Sequence, residues 1–414
     1  SMLEPLPRET AAPERWLSII GIGEDGIDGL TPGAIRLVRE AEIVFGGKRH
    51  LALAAPLIKG AASPWPSPFE RAIAAVLAQR GRRVCVLASG DPFFYGVGTL
   101  LAKHVEAQEM LALPAPSCFS LAAARLGWDL STTTLLSLHG RALDLVRPHL
   151  HPGARVFALT SDHEGPAALA RLLAQTGFGA SRISVLEALG GPRERLRSAL
   201  AAGFNLGAID DLNVVAIEVV AAPGARIIAY ASGRGDELFE HDGQITKREI
   251  RATTVSALAP RHGELLWDIG AGAGSVAIEW MLSHPSLRAI AVEARADRAA
   301  RIRHNAAALG VPGLEIIAGK APAVLKELPP PGAIFIGGGA SDPGMIDAAV
   351  AALACGGRLV VNAVTLATES ILIAKHAQLG GELIRIAVTR AGMLGGTAGW
   401  RPAMPVTQWA WGKP

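Results

Sequence analysis

The sequence predicts an α/β protein built as two units, and three observations carry that expectation. Apolar runs of strand length alternate with helical patterning along the whole chain. The apolar run Leu265–Ile269 enters a glycine turn, Gly270-Ala271-Gly272-Ala273-Gly274-Ser275, and then the apolar helix start Val276-Ala277-Ile278-Glu279-Trp280. The last two apolar runs, near 383–389 and 405–411, are separated by the loop Gly392 to Pro402 and by no helix, so the final pair is expected to be antiparallel.

Taken in order, Trp16 to Gly23 reads as a buried strand entering a glycine loop. Thr31 suits an N-cap and Pro32 the first turn of a helix that runs to about Glu40. Strands follow at Glu42–Phe45, Arg83–Ala88 and Met110–Leu113, with helices near Pro68–Gln79 and up to about Lys103. Pro114 to Cys118 reads as a turn into a helix ending at Gly127, and the pattern resumes after Leu135 with strands near Val156–Leu159, Arg182–Leu186 and Leu212–Val220. Residues 221–247 lack periodicity and carry several glycines, which reads as a junction between domains spanning 16–222 and 240–411. A helix from Lys247 to Leu258 then leads to strands near 265–269, 288–293, 314–318, 333–337, 357–363, 383–389 and 405–411, with helices in the gaps between the first six.

Composition narrows the class. The 414 residues are 50% hydrophobic and only 19% charged, enough for two or three cores. No uninterrupted apolar run reaches the ~18 residues of a membrane span, so no membrane partner is expected. A net charge of +3 with both signs mixed gives no footprint for nucleic acid. Three scattered cysteines, Cys85, Cys118 and Cys355, fit neither a disulfide frame nor a zinc site, and agree with a cytoplasmic protein that binds no metal. The opening Ser1-Met2 has the look of a tag scar, and residues 3–14 are expected to be a loose arm.

The glycine turn carries the functional reading. Its glycines let a backbone turn sharply and allow a ligand to lie against it, and the following helix start offers free N–H groups. Glu293 closes the next strand, 19 residues beyond Gly274, where a Rossmann-type unit places an acid for ribose hydroxyls. Ser275 stands where a dinucleotide motif has its third glycine. Together with the antiparallel end of the sheet, this favours S-adenosylmethionine over a nicotinamide dinucleotide. Gly337-Gly338-Gly339 after the fourth strand is expected to let substrate or the methyl donor approach the backbone closely, and Ser89-Gly90-Asp91-Pro92 with the Gly21–Gly29 loop marks a cleft at strand ends. Arg248, Arg251, Arg385, Arg390 and Arg401, with His139 and Arg141, are candidates for carboxylate binding, because an arginine offers a bidentate fork. Thr246 and Glu249 form a capping-box pattern. No Ser-His-Asp spacing, metal cluster or phosphate-binding lysine loop is visible, so no catalytic residue is assigned.

These motifs resemble those of the precorrin C5,15-methyltransferase (decarboxylating) family of cobalamin biosynthesis, from Trp16 to Trp411. The first half is similar to tetrapyrrole methylases through Gly21-Ile22-Gly23-Glu24-Asp25-Gly26, Ser89 to Gly96, Ser117-Cys118-Phe119-Ser120, Leu138-His139-Gly140-Arg141 and Leu159-Thr160-Ser161-Asp162. The second half is similar to the partner methyltransferase through Asp242-Gly243-Gln244-Ile245-Thr246-Lys247-Arg248-Glu249 and the glycine turn. The resemblance implies a tetrapyrrole methylase fold of two α/β subdomains, then a class I Rossmann-like methyltransferase with an antiparallel last strand. It implies two S-adenosylmethionine sites. One would use Gly23, Ser89, Gly90, Asp91, Ser117 and Cys118. The other would use Thr246, Gly270, Ala271, Gly272, Ala273, Gly274, Glu293 and Ala321. His139, Arg141, Arg248 and Arg390 are then the candidates for a precorrin substrate.

The same resemblance assigns C5 methylation to the first unit and C15 methylation, with loss of the C12 acetate carboxyl, to the second. It also implies a homo-oligomer formed through the C-terminal domain. Lys320 stands where related chains often have an Asp, which removes an adenine contact from the expected set. The competing readings are an NAD-dependent oxidoreductase and a non-catalytic tetrapyrrole-binding protein.

Overall fold

The structure, a computed structural model, describes residues 14–414. All of the arm expected over 3–14 except Glu14 lies outside the described residues. The chain divides into two compact units, one reaching Arg141 and including Pro152–Pro223, the other comprising Ala142–His151 and Gly224–Pro414.

The first unit holds two sheets. Its N-terminal part runs β1 (Leu17–Ile22), α1 (Pro32–Glu40), β2 (Ile43–Gly46), α2 (Lys48–Ala54), β3 (Ala61–Pro64), α3 (Arg71–Leu77), β4 (Val84–Ser89), α4 (Val97–Leu101) and β5 (Met110–Leu113). The strands form an all-parallel sheet in the order β3-β2-β4-β1-β5. Buried Ile19, Ile20, Val84 and Val86 show why such strands read as continuous apolar runs: both faces are covered. Thr31 caps α1 as its sequence indicates, its hydroxyl accepting from the Ala34 N–H at 3.2 Å. The second part runs α5 (Cys118–Leu126), β6 (Thr134–Ser137), β7 (Arg155–Leu159), α6 (Gly165–Gln175), β8 (Arg182–Glu187), β9 (Arg195–Leu200) and β10 (Asn213–Glu218). Its sheet is mixed, in the order β6-β7-β10-β8-β9.

The second unit runs α7 (Arg248–Leu258), β11 (Leu265–Ile269), α8 (Ser275–Ser283), β12 (Arg288–Glu293), α9 (Ala296–Ala308), β13 (Glu315–Ala318), β14 (Ala333–Ile336), α10 (Met345–Ala352), β15 (Arg358–Ala363), α11 (Leu366–Leu379), β16 (Glu382–Ile386), β17 (Thr389–Leu394), β18 (Thr397–Pro402) and β19 (Val406–Gly412). Seven strands form one sheet, β13-β12-β11-β14-β15-β19-β16. β19 slots between β15 and β16 and is antiparallel to both, which is the expected sheet ending. Apolar clusters cover both faces. Trp267, Ile334 and Trp409 lie in one, and Trp280, Ile302 and Phe335 in the other.

The structure adds α2, β3 and β9 to the sequence reading and differs from it in four further places. Residues 142–151, expected in the first domain, pack with the second unit, where Pro148 and the Asp144 carbonyl cover Gly310 so closely that a Cβ there would collide. The boundary at 223/224 likewise gives residues 224–239 to the second unit. The gap between β13 and β14 holds only a 3-10 turn, Ala323–Glu327, because Pro322 and Pro329–Pro331 leave too little chain for a helix. The stretch 392–402, expected as a loop, is most of the β17–β18 hairpin.

Candidate functional site

In the second unit the glycine turn follows β11 directly, and each glycine meets a different demand. Gly270 adopts φ +66°, and a Cβ there would meet the Gly338 backbone at 2.7 Å. The glycine run after β14 therefore serves a close approach between two turns, one inside the protein. Gly274, at φ +79°, lies against Ile302 of α9, which a Cβ would strike at 2.7 Å. Glu293, at the end of β12, is buried, and its Oε2 accepts from the Gly272 N–H at 2.9 Å. Its other oxygen accepts from the Arg295 N–H at 3.2 Å.

Asp268, the fourth residue of β11, is 1% exposed. Its Oδ2 accepts from the Ala277 N–H at 3.0 Å, while Oδ1 has no partner among the described residues. Burial pushes this carboxyl up to about 7; the nearby Glu293 charge adds to the rise and the Ala277 N–H opposes it. Two carboxyl groups at one glycine turn make a poor seat for a pyrophosphate. They suit a ligand with ribose hydroxyls and no phosphates, so the residues present fit S-adenosylmethionine.

The segment before α7 is clamped across this turn. Asn305, 1% exposed, accepts from the Glu240 N–H at 2.8 Å and donates to the Glu240 and Ala273 carbonyls, each at 2.9 Å. Asp242 pairs with Arg298 and Arg301, both at 3.1 Å; the Gln244 N–H and these guanidinium groups hold its carboxyl below the usual range. The Gln244 carbonyl lies beside Gly272. Below these contacts sits a buried ionic network. Glu279 accepts from the Gly233 and Arg234 N–H groups, from Arg234 Nη1 at 3.0 Å and from Arg251 Nε at 2.8 Å. Arg251 also donates to Asp236 at 2.8 Å and to the Thr246 carbonyl at 2.5 Å, and lies over the Phe239 ring.

That network corrects two expectations. Arg251 is fully buried and holds structure, so it is no substrate ligand. The capping box at Thr246 is absent: α7 begins at Arg248 with Lys247 as its N-cap, and no side chain caps it. Arg251 pulls on the Thr246 carbonyl, while the Glu249 carboxylate is taken by Arg390. Arg385 pairs with Glu369 at 2.6 Å and Arg401 donates to the Met393 carbonyl. Arg248 is exposed. Ala271 and Ala273 lie in the turn, and Ala321 is buried among apolar neighbours. Ala321 and Lys320 line an apolar groove of about 800 Å³ with Trp267, Leu325 and Ala348, which includes none of the glycine-turn residues.

In the first unit the loops after β1, β4 and β5 meet. Gly21 lies so close to the Gly90 carbonyl and Ala115 that no Cβ fits. Gly90, at φ +54°, packs on Pro116 and Ser117. The Ala115 N–H donates to the Gly90 carbonyl at 3.0 Å. Asp91 Oδ1 accepts from the Phe93 N–H at 2.9 Å, and the Ser117 hydroxyl caps α5 by accepting from the Ser120 N–H at 3.1 Å. Cys118 is half-buried and its thiol is pushed up to about 11 by burial, so it is no thiolate. Gly23, Ser89, Gly90, Asp91, Ser117 and Cys118 thus sit on three neighbouring strand ends and the start of α5. His139 and Arg141 are exposed, with Arg141 over the Tyr95 ring at 5.9 Å.

The structure adds residues that sequence reasoning missed. His50, at the start of α2, has its Nε2 2.9 Å from Ser89 Oγ and 3.3 Å from Arg49 Nη2. Arg49 pairs with Glu24 of the first loop. Glu24 in turn lies against Gly191 of the second sheet's side. The only signal in the sequence is the Lys48-Arg49-His50 cluster after β2, which is unremarkable until the fold sets it beside β4.

Comparison with known proteins matches residues 17–205 to the tetrapyrrole (corrin/porphyrin) methylases and residues 237–413 to the precorrin methyltransferase domain. A precorrin-6Y C(5,15)-methyltransferase [decarboxylating] of Sinorhizobium is 60% identical over 98% of this chain and 98% of its own. Two shorter relatives match parts of the chain. The cobalt-precorrin-7 C(5)-methyltransferase of Salmonella typhimurium is 31% identical over 47% of this chain and 96% of its own. A probable cobalt-precorrin-6B C(15)-methyltransferase (decarboxylating) of Pyrobaculum calidifontis is 36% identical over 36% of this chain and 80% of its own.

Proposed function

Because the chain belongs to the precorrin-6Y C(5,15)-methyltransferase (decarboxylating) family, we propose that its two units divide that family's chemistry between two separate methyl-donor sites. The protein is an enzyme of cobalamin biosynthesis that methylates a precorrin with S-adenosylmethionine and decarboxylates it. The first unit methylates C5. The second methylates C15 and releases the C12 acetate carboxyl, taking the precorrin-6B skeleton to precorrin-8X. The observation that carries this division is the presence of two unrelated glycine-turn sites, one at Gly21–Gly90–Ser117 and one at Gly270–Gly274 with Glu293. Two half-length relatives named for the C5 and the C15 reactions support it.

S-adenosylmethionine supplies an electrophilic methyl group. In the second unit, Glu293 would accept from its ribose hydroxyls, and the glycine turn would lie along it. Asp268, buried behind the turn, would hold the start of α8 in place through the Ala277 N–H. Thr246 would close the site from the clamped segment, and Ala321 from the β13 end. The meso carbons of a reduced tetrapyrrole are electron-rich, so the protein's task in methyl transfer is placement and exclusion of water. His139, Arg141, Arg248 and Arg390 would bind substrate carboxylates, and an apolar surround for the leaving carboxylate would destabilise its charge.

The enzyme is expected to act in the cytoplasm as a homo-oligomer. The β17–β18 hairpin supports the assembly, since Met393, Leu394, Trp400 and nearby Met404 are all at least half exposed. The functional test separates the two units. A glycine-turn variant, Gly272→Val, should stop C15 methylation and carbon dioxide release but still methylate C5 on a substrate already processed at C15. Loss of both methylations would contradict the division.

A further inference from the structure

The pair His50 and Ser89 stands at the strand ends that frame the first unit's cofactor cleft, and the cofactor role given to Ser89 does not account for His50 behind it. Ser89 ends β4, is exposed, and precedes Gly90 and Asp91. Its Oγ lies 2.9 Å from His50 Nε2. The tautomer follows from the neighbour: a guanidinium has donors only, so the Nε2 that faces Arg49 Nη2 at 3.3 Å carries the lone pair. The Ser89 hydroxyl then donates to the same nitrogen. Hydroxyl outside and imidazole lone pair behind make a path for a proton leaving the cleft.

Resting on the reading that this unit methylates C5, we propose that His50, through the Ser89 hydroxyl, takes up the proton the macrocycle loses once it has been methylated. The carbon–methyl bond forms as the sulfur–methyl bond breaks, and that bond's electron pair stays on sulfur as a neutral thioether. The positive charge moves to the macrocycle. The C–H bond at the same carbon then breaks and its electron pair returns to the conjugated system. That proton goes to Ser89 Oγ while the serine's own proton passes to His50 Nε2.

The surroundings suit the task. A methylated, cationic macrocycle is a strong carbon acid, so a weak base is enough. His50 is held low, to about 4, by burial and by Arg49, which keeps it unprotonated and lets it shed the proton to water afterwards. Arg49 is charge-paired with Glu24, and beyond it Arg193 pairs with Asp210 at 2.7 Å. The imidazolium therefore forms against Arg49, whose own charge is paired with Glu24, and so gives its proton up readily.

The test uses the full chain with His50→Gln and Ser89→Ala, a precorrin carrying hydrogen or deuterium at C5, and S-adenosylmethionine. C15 methylation and carbon dioxide release from the same chain serve as the folding control. His50→Gln should lower kcat for C5 methylation by ~100-fold, the lower range for a lost general base. S-adenosylhomocysteine binding measured by calorimetry should not change. Deuterium at C5 should slow the variant more than the parent, and Ser89→Ala should act in the same direction. Unchanged kcat, or an equal deuterium effect in parent and variant, overturns the proposal. Asp91→Lys, aimed at the cleft itself, separates the two layers. If it leaves C5 methylation intact, the assignment of this unit fails. If it abolishes C5 methylation while His50→Gln turns over normally, only the relay fails.

Discussion

At the scale of single residues, two carboxyl groups define the second unit's site and behave differently. Glu293 accepts from the Gly272 N–H with one oxygen and from the Arg295 N–H with the other, so it shapes the turn, and it is proposed to take the ribose hydroxyls as well. Glu293→Ala in the full chain should remove S-adenosylhomocysteine binding from this unit, read by calorimetry as the loss of one site. Asp268 has its proton bound more tightly in the folded chain than in the unfolded one, since burial lifts it from 3.8 to about 7. Its share of stability is therefore complete below about pH 4 and is lost as pH rises through 7, a swing of about 4 kcal/mol. Asp268→Asn should flatten that part of the pH dependence of urea unfolding, and an unchanged slope would remove Asp268 as its source. Glu293 was legible because an acid at the end of the second strand follows from spacing alone. The state of Asp268 was not, because it depends on what α8 and β12 pack around it. His50 was hidden for the same reason, since β2 and β4 are adjacent in the sheet and 38 residues apart from Gly46 to Val84.

At the scale of elements, the sequence misjudged the start of α7 in an instructive way. Thr246 and Glu249 have capping-box spacing, yet Arg390 takes the Glu249 carboxylate that would complete the box, and Arg251 holds the Thr246 carbonyl. A buried guanidinium bound to Glu279 outweighs one local cap worth ~1 kcal/mol. Arg251→Leu should cost about 3–5 kcal/mol, because it leaves the Glu279 charge short of a partner. Hydrogen exchange should report that loss in the 233–246 segment first, and protection there equal to the parent would contradict the role given to the network. Strands were the easiest elements to read, as β11, β12 and β15 are apolar along nearly their whole length. The β17–β18 hairpin was missed because its strands are exposed and rich in glycine and arginine, with no core face to set a period. Trp400→Glu on that hairpin should lower the assembly state seen by sedimentation, and an unchanged mass would exclude the hairpin as the contact.

At the scale of the molecule, the chain carries one glycine-turn site on an all-parallel sheet and another on a seven-stranded sheet with an antiparallel strand slotted in near its end. The two-unit plan was legible from the strand–helix rhythm and the glycine-rich junction. The exchange of residues 142–151 into the second unit was not, because it rests on Pro148 and Gly310, which are 162 positions apart. The central claim is that each unit holds its own methyl donor. Titrating the full chain with S-adenosylhomocysteine in a calorimeter tests it most directly. The parent should bind two molecules per chain and Glu293→Ala one. A parent that binds one molecule or none, or a variant that still binds two, would contradict it.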